Sequence, residues 1–350
     1  MTARTLHQGH VASVLDRARD LSQPALREAV DRLTPSMTKV AGYHFGWLTA
    51  DGRERGKIHG KGIRNAMALL SARAAGAPAE SGIPGGVAVE LVHNFSLLHD
   101  DLMDGDRERH HQPTAWTVFG PSAAILGGVA LLTLAEEVLL DLETSDGAAA
   151  AKLLTTSTAR LVTGQTDDLE FESRDDVTLE ECLRMAGNKT SALMSCSAAI
   201  GAVLNGASPA TVRALTDFGE HVGLAFQLVD DLLGIWGSPE LTGKPVRSDL
   251  RAGKKTLPVA AALAAGGSAA EQLARMLAED AAEAPSEADS DDRYAAEADL
   301  VEKAGGRAWA GTEADRQLTL ARERLTSVEL EPDAVRDLTA VADYVVRRQQ

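Results

Sequence analysis

The sequence has little of what defines several large classes of protein. Its 350 residues include two cysteines, Cys182 and Cys196, and neither belongs to a CxxC pair or to a zinc-ligand spacing. A disulfide framework or a structural zinc site is therefore not expected. Aromatic residues make up only 4% of the chain, and no run alternates β-branched or aromatic residues with polar ones as half-buried strands do. The sequence predicts an all-α protein.

Basic residues are also scarce relative to acidic ones. Lys and Arg number 35 against 51 Asp and Glu, which gives a formal net charge of −16. Phosphate backbones repel such a chain, so no nucleic-acid partner is expected. An anionic ligand would have to bind in a local basic pocket or through a metal ion.

Long apolar runs are missing as well. Residues 1–19 lack the basic start and the apolar run of a signal peptide. The longest apolar stretch, residues 123–135, is too short to cross a bilayer. We therefore expect a cytoplasmic protein without a membrane span.

Two segments have the apolar spacing of a helix face. Their apolar residues are Leu91, Phe95, Leu98 and Leu102 in the first, and Phe218, Val222, Ala225, Val229 and Leu232 in the second. No linker and no solenoid repeat divides the chain, so we expect one large helical domain over residues 1–350. The stretch 279–299, rich in Ala, Glu, Asp and Ser, is expected to be an exposed, mobile connection or a solvated helix.

Aspartates cluster at the end of both helical segments. Asp100 and Asp104 are one helical turn apart with Asp101 beside them, and Asp230 and Asp231 end the second segment. Like charges stacked in this way destabilise a helix unless a cation lies among them. Carboxylates without His or Cys suit Mg²⁺, which binds through a few carboxylates plus substrate phosphates. Two facing clusters could hold several Mg²⁺ ions around one diphosphate.

Basic residues follow each cluster along the chain. They are Arg107, Arg109, His110 and His111 after the first, Lys189 between the two, and Lys244, Arg247, Arg251, Lys254 and Lys255 after the second. Cations beside metal clusters suit the binding of a leaving diphosphate.

Further motifs occur in order between residues 60 and 258. They are Gly60-Lys61-Gly62-Ile63-Arg64, Glu90-Leu91-Val92-His93, Gln112-Pro113-Thr114, Gly164-Gln165-Thr166-Asp167-Asp168, Lys189-Thr190, Phe226-Gln227-Leu228-Val229 before Asp230, Gly243-Lys244, Ser248-Asp249-Leu250 and Gly253-Lys254-Lys255-Thr256-Leu257-Pro258. Together with the aspartate clusters they resemble the trans-isoprenyl (polyprenyl) diphosphate synthases, and their context is most similar to geranylgeranyl diphosphate synthases.

The resemblance implies an isoprenoid-synthase fold, a homodimer, and a deep cavity between the two Asp-bearing helices. By similarity, about three Mg²⁺ ions would bind. Their ligands would be Asp100, Asp104 and Asp230, supported by Asp101 and Asp231. The allylic diphosphate would be held by Arg109, Lys189, Gln227, Lys244 and Lys254, and Gln165 and Thr190 would also contact substrate. Isopentenyl diphosphate would be held by Lys61, Arg64 and His93, with His110 nearby.

The residues before the first cluster bear on product length. In similar enzymes they line the floor of the pocket for the growing chain. An aromatic residue, Phe95, with a small neighbour, Ser96, resembles enzymes that make C15 to C20 products. The motif context favours C20, with C15 next, although Phe95 also fits the apolar stripe of an ordinary core residue.

The chain departs from the family pattern mainly on the isopentenyl side. His110 stands where a second Arg is usual, Gly62 where a basic residue is common, and Val129 where an Asp is usual, while the second cluster ends in Gly234 instead of a third Asp. A terpene cyclase that needs no isopentenyl diphosphate is therefore an alternative. The presence of Lys61, Arg64 and His93 argues against it, because such an enzyme would have no need of them. A non-catalytic partner subunit is a third possibility, but such subunits lose their aspartate clusters.

Replacing Asp100 or Asp230 with Ala is expected to abolish prenyl transfer in a protein that stays folded, because each change removes a predicted Mg²⁺ ligand. Turnover is measured with an allylic diphosphate and isopentenyl diphosphate, and folding by circular dichroism. Activity retained in either variant would remove that residue from the metal site.

Overall fold

A computed structural model of the protein describes residues 3–55, 62–110, 112–238, 246–282 and 290–346. Side chains are described from residue 9 onwards, except those of residues 280–290. Helices account for 80% of the structure, which confirms the all-α prediction. In chain order the α-helices are α1 (Ala3–Asp31), α2 (Pro35–His44), α3 (Ile63–Ala74), α4 (Ile83–Met103), α5 (Ala115–Phe119), α6 (Pro121–Leu140), α7 (Ser145–Glu172), α8 (Leu179–Ala186), α9 (Ala192–Val203), α10 (Pro209–Trp236), α11 (Ser248–Arg251), α12 (Leu257–Ala265), α13 (Gly267–Ala282), α14 (Ser290–Lys303), α15 (Gly306–Thr326) and α16 (Pro332–Val346).

Four short elements complete the described part of the chain. A 3₁₀ turn spans Ala79–Gly82, and a π-helical turn spans Gly187–Ser191 between α8 and α9. Strands β1 (Glu108–Arg109) and β2 (Gln112–Pro113) form an antiparallel ribbon after α4, with Arg109 opposite Gln112.

Several helices begin where local chemistry predicts. Pro35, Pro121, Pro209 and Pro332 are the first residues of α2, α6, α10 and α16, where a missing N–H costs nothing and the fixed φ suits a helix. Thr178 and Glu181 form a capping box at the start of α8.

The chain groups into two compact units. Unit 1 comprises Met1–Thr158, Leu193–Gly219 and Arg324–Val341, and unit 2 comprises Ala159–Ala192, Glu220–Glu323 and Ala342–Gln350. The single domain expected over residues 1–350 therefore stays a prediction.

In unit 1, close helix contacts surround the end of α4. A Cβ added at Gly128 of α6 would lie 2.3 Å from Nε2 of His99 on α4, and one at Gly127 would lie 3.0 Å from Val40 of α2. Leu91 and Leu98 of α4 are fully buried on the face that the apolar spacing predicts. The aspartate end of α4 is therefore anchored in a packed core.

Unit 2 has an apolar cluster that corrects one expectation. Tyr294, Ala298 and Val301 of α14 are buried with Leu250 and Val259. Residues 290–299 are thus a packed helix rather than an exposed segment, and residues 283–289 lie outside the described chain. The acidic composition of the stretch hid the buried face of α14.

Helix α6 is longer than the apolar run read from the sequence. The helix has 20 residues, and an 18-residue window within it has a mean hydropathy of 1.9 with 39% of the window buried. By length and composition alone it could cross a membrane. The short run of 123–135 therefore understated this helix, since Pro121 and Leu140 extend it at both ends.

Gly201 tests the packing of α9 on α3. A Cβ at this position would lie 2.0 Å from the carbonyl oxygen of Ala68. Because a backbone atom cannot move aside cheaply, Gly201→Ala should lower the free energy of unfolding by about 1–3 kcal/mol. Gly311→Ala in α15 is the matched control. Nothing lies within 4 Å of its Cβ position, so it should stabilise by about 1 kcal/mol. Urea denaturation measures both; equal effects would contradict the close contact.

Candidate active site

The first aspartate cluster lies where α4 ends. The N–H of Asp104 donates to the carbonyl oxygen of Asp100 at 2.8 Å, and Asp104 is the C-cap residue. Asp104 is exposed and Asp100 half-buried, whereas Asp101 is 1% exposed. The predicted turn spacing therefore presents Asp100 and Asp104 outward and turns Asp101 into unit 1.

Arg109 fixes Asp101. Its Nε donates to Oδ1 of Asp101 at 2.7 Å, because the β1–β2 ribbon folds back towards the end of α4. Burial raises the pKa of the Asp101 carboxyl, and Arg109 opposes that shift. The other oxygen, Oδ2, is buried without a hydrogen-bond partner among the described residues. Such an acceptor can serve a cation or a metal-bound water.

Arg64 and His93 come together in the same unit. Nη1 of Arg64 lies 3.3 Å from Nε2 of His93. Burial, followed by the charges of Arg64 and Arg109, holds the pKa of His93 well below its ordinary value. The imidazole is therefore neutral at neutral pH and takes part as a hydrogen-bonding group.

A small hollow lies beside the Asp101–Arg109 pair and is lined in part by His44, Asp101, Arg109, His110 and Gln112. His110 is exposed and has a φ of 53° at the turn between β1 and β2. Lys61, predicted to bind isopentenyl diphosphate, lies outside the described residues. Unit 1 thus brings Arg64, His93 and Arg109 together beside the first aspartate cluster.

In unit 2, the second cluster lies near the end of α10. Asp230 is exposed, while Asp231 is 6% exposed and accepts hydrogen bonds on both oxygens. Nε2 of Gln227 donates to Oδ1 at 2.7 Å, and the N–H of Leu257 donates to Oδ2 at 2.8 Å. Burial nevertheless raises the pKa of Asp231 to about 8. A cation beside Asp231 would favour its charged form.

The π-helical turn presents Lys189 and Thr190. Nζ of Lys189 lies 2.5 Å from Oδ2 of Asp168, and Oγ1 of Thr190 donates to Oε1 of Gln227 at 2.6 Å. A Cβ at Gly164 would lie 2.2 Å from the backbone nitrogen of Lys189, so only glycine allows α7 to approach this closely. Thr190, Gln227 and Asp231 therefore form one hydrogen-bonded chain.

Arg160 holds the start of this turn. Its guanidinium donates to the carbonyl oxygen of Gly187 at 3.2 Å, to Oδ1 of Asn188 at 3.2 Å and to the carboxylate of Glu220 at 2.7 Å. Wide π turns recur at functional sites, and here Arg160 ties two residues of the turn that carries Lys189 to Glu220 of α10.

Gln165 has the environment of a ligand-binding side chain. It is 7% exposed, and neither atom of its amide has a hydrogen-bond partner within the described part of the chain. An unpartnered buried amide costs stability, so a polar ligand at Gln165 would remove that cost. Lys254 is half-buried in the same unit, and Lys244 lies outside the described residues.

The arrangement of the carboxylates fits a Mg²⁺ ion bound jointly by the protein and a diphosphate better than a Mg²⁺ ion bound by protein side chains alone. Within the described ranges, no three Asp, Glu, His or Cys side chains converge on one point. Mg²⁺ commonly takes one or two carboxylates plus substrate phosphates and waters. The two clusters belong to different units, so the expected cavity between them stays a prediction.

Phe95 and Ser96 lie one turn before the first cluster. Phe95 is 7% exposed and packs edge-on against His99 with 4.9 Å between ring centroids. The Ser96 hydroxyl donates to the carbonyl oxygen of His93 at 2.8 Å. The position therefore combines a buried aromatic ring held against His99 with a small residue whose hydroxyl is hydrogen-bonded within its own helix.

Sequence reasoning gave no role to two residues that the structure ties to the site. Asp168 pairs with Lys189, and Arg160 holds the π turn. Asp168 stood within a recognised motif, so its charge opposite a lysine could have been suspected. Arg160 stands in no motif, and only the fold places it beside Gly187.

Arg109→Ala is expected to lower the free energy of unfolding by about 3 kcal/mol, because it leaves the Asp101 carboxylate buried without its cation. The loss should shrink as the pH falls, since protonation neutralises Asp101. Arg107→Ala is the control, because Arg107 is exposed on the same segment. Urea denaturation at several pH values measures the losses; equal losses for both variants would contradict a stabilising Arg109–Asp101 pair.

Comparison with known proteins bears on the whole chain. Residues 47–291 match the polyprenyl synthetase family. The (2E,6E)-farnesyl diphosphate synthase of Mycobacterium tuberculosis is 50% identical over 349 residues, covering 100% of this chain and 95% of that protein. The geranylgeranyl diphosphate synthase of the same organism is 42% identical, covering 96% and 94%.

Solved structures agree with the sequence relatives. A polyprenyl synthetase from Streptomyces coelicolor superposes with a TM-score of 0.91 at 52% identity, covering 96% of this chain and 99% of that one. A polyprenyl synthase from Caulobacter crescentus, solved with calcium and isoprenyl diphosphate, has a TM-score of 0.80 at 26% identity, covering 96% and 98%. With matches along its whole length, this chain belongs to the polyprenyl synthetase family.

Proposed function

We propose that the protein is a Mg²⁺-dependent prenyltransferase that joins isopentenyl diphosphate to an allylic diphosphate and releases farnesyl diphosphate. The observation that carries this proposal is the pair of half-sites built around the aspartate clusters. One half-site contains Asp101, Arg109, Arg64 and His93, and the other contains the chain from Thr190 through Gln227 to Asp231.

The geometry suits ionisation of an allylic diphosphate. Bound Mg²⁺, held by Asp100, Asp104 and Asp230, would stabilise the charge that develops on the departing diphosphate. Lys189, held by Asp168, would add a fixed positive charge. Thr190 and Gln227 hold each other in place and would face the reacting chain with oriented dipoles. These assignments extend the sequence predictions and are part of the proposal.

The isopentenyl half-site argues for elongation over cyclisation. A cyclase has no second diphosphate to bind, yet Arg64 contacts His93, and Arg109 lies close enough to lower the pKa of that imidazole. Arg64 and Arg109 are permanent cations that can bind a diphosphate, while neutral His93 can donate one hydrogen bond. His110 in place of a second Arg would weaken this binding without abolishing it.

Product length is the point on which the proposal differs from the sequence expectation. The motifs favoured a C20 product with C15 next. The higher identity to a farnesyl than to a geranylgeranyl diphosphate synthase, 50% against 42%, now favours C15. The buried Phe95 ring supports a short pocket, since His99 holds it in place.

The test is purified protein with Mg²⁺ and dimethylallyl, geranyl or farnesyl diphosphate, each with and without isopentenyl diphosphate. Mass spectrometry of all products should find farnesyl diphosphate as the main end product, formed only with isopentenyl diphosphate. A hydrocarbon or alcohol from one allylic substrate alone would instead identify a cyclase. No product under any condition would favour a non-catalytic subunit.

Phe95→Ala should lengthen the main product by at least one five-carbon unit, because it removes the ring packed against His99 and deepens the pocket. The control is Leu98→Val, which also shortens a side chain on α4, but one that is buried in the core. Products are compared by mass spectrometry at equal substrate concentrations. An unchanged length of the product chain would mean that Phe95 only packs in the core.

We also propose that the protein forms a homodimer through α6. Ile125, Leu126, Val129 and Leu140 on this helix are 45–58% exposed, and exposed apolar patches mark association surfaces. The net charge of −16 disfavours an anionic membrane surface as the partner. Leu126→Glu should convert a dimer to a monomer in analytical ultracentrifugation. A wild-type monomer, or wild-type binding to lipid vesicles, would contradict the proposal.

A further inference from the structure

One face of α7 runs along the π turn. Arg160, Gly164 and Asp168 follow one another at intervals of four residues, so they lie on the same side of the helix. Arg160 donates to the first two residues of the turn, and Asp168 accepts from the ammonium of Lys189. Between these contacts, a Cβ at Gly164 would lie 2.2 Å from the backbone nitrogen of Lys189. Successive turns of α7 therefore contact one short segment.

Helix α10 packs against the same segment. Glu220, Gly223 and Gln227 are spaced by three and four residues and share one face of the helix. A Cβ at Gly223 would lie 2.5 Å from Cα of Ser191. Gln227 accepts a hydrogen bond from Thr190. The backbone of the π turn thus touches both helices directly, with a glycine at each contact.

The Arg160 guanidinium joins α7, α10 and the turn. Its Nη1 donates to Oε2 of Glu220 at 3.1 Å and its Nη2 to Oε1 at 2.7 Å, which is the two-point geometry of a strong Arg–carboxylate pair. Its Nη2 and Nε also donate to the carbonyl oxygen of Gly187 and to Oδ1 of Asn188, each at 3.2 Å. A planar guanidinium carries five N–H donors and can make these bonds together, whereas a lysine ammonium lacks the fork.

These bonds bear on Lys189, the next residue of the turn. Gly187 and Asn188 directly precede it, so a shift of these two residues also moves the Lys189 ammonium. A misplacement of about 1 Å can cost roughly 100-fold in rate at a catalytic group. The contacts of Arg160 therefore restrict where the Lys189 ammonium can lie.

We propose that Arg160, paired with Glu220, is a positioning residue that sets the place of the Lys189 ammonium for a bound diphosphate. This inference rests on the proposed function, which assigns a diphosphate to Lys189. Its competitor is an ordinary surface ion pair, because the two side chains are 40% and 37% exposed and exposed pairs contribute little to stability. The two explanations differ in one respect. A positioning residue matters only while Lys189 is present.

The variants separate positioning from stability. Arg160→Ala removes all the bonds, Arg160→Lys keeps the charge without the fork, and Glu220→Gln removes the charge of the partner. Each is made in the wild-type protein and in a Lys189→Ala background. The matched control is Arg316→Ala on α15. It removes another exposed guanidinium that makes a two-point pair, with Glu313 at 2.7 Å.

The readouts are kcat and KM for prenyl transfer from geranyl diphosphate to isopentenyl diphosphate, the affinity for inorganic diphosphate with Mg²⁺ by calorimetry, and the melting temperature. Arg160→Ala should lower kcat by roughly 10-fold and weaken diphosphate binding by roughly 3- to 10-fold. The KM for isopentenyl diphosphate should not change, because Arg64 and His93 belong to unit 1. Arg160→Lys and Glu220→Gln should fall between Arg160→Ala and wild type.

The Lys189→Ala background decides between the explanations. There, Arg160→Ala should change kcat and diphosphate affinity by less than about 2-fold, because the group that it positions is gone. Arg316→Ala should match wild type in both backgrounds. Equal effects of Arg160→Ala with and without Lys189 would overturn the inference. So would a loss of activity that follows the fraction of unfolded protein, or an equal loss in Arg316→Ala.

Failure of the proposed function would look different. The wild-type protein would then form no prenyl product, while the diphosphate affinities would still test the inference. Weaker diphosphate binding in Arg160→Ala that disappears without Lys189 would support positioning of an anion site with another reaction. Wild-type protein that binds no diphosphate with Mg²⁺ would overturn both proposals.

Discussion

Each aspartate cluster depends on one buried carboxyl group that other residues of the protein hold in place. Asp101 is fixed by Arg109, and Asp231 by Gln227 and Leu257. Consecutive residues on a helix point about 100° apart, so the neighbours Asp100 and Asp230 turn outward. In each pair, the buried aspartate ties the end of its helix to another segment, and the other aspartate is more exposed. Each like-charged pair is thus divided into a structural member and a more exposed member, to which the proposed function assigns Mg²⁺.

The hydrogen-bonded chain in unit 2 extends this division. Asp231 orients Gln227, and Gln227 orients Thr190 on the π turn. Arg160 and Asp168 hold the same turn from α7. Because each partner is restrained by the next, few rotamers remain to be ordered when a substrate binds. The restraint arises from side-chain hydrogen bonds and an ion pair between helices α7 and α10 and the π turn.

The sequence predicted the parts of this site that repeat a period or a motif. The helical spacing of apolar residues predicted α4 and the end of α10. The spacing of Asp100 and Asp104 predicted two carboxylates on one helical turn. Contacts between distant segments could not be predicted, because no local pattern encodes them. Asp249 lies fifteen residues after Gly234, and only in the folded chain does its carboxylate occupy the space of a side chain at position 234. The packed face of α14 was not predicted either, because the acidic composition of the stretch obscured the apolar residues Tyr294 and Ala298.

The π turn at Gly187–Ser191 has a consequence for how this chain can change length. A π turn accommodates one residue more than an α turn without breaking the helix. Loss of a single residue between 187 and 191 would therefore return the turn to α geometry and leave the helices on its two sides in register. Lys189 and Thr190 could then no longer both keep their partners. The extra residue of the π turn thus allows Lys189 and Thr190 to reach Asp168 and Gln227 together, whereas the orientation of the flanking helices does not depend on it.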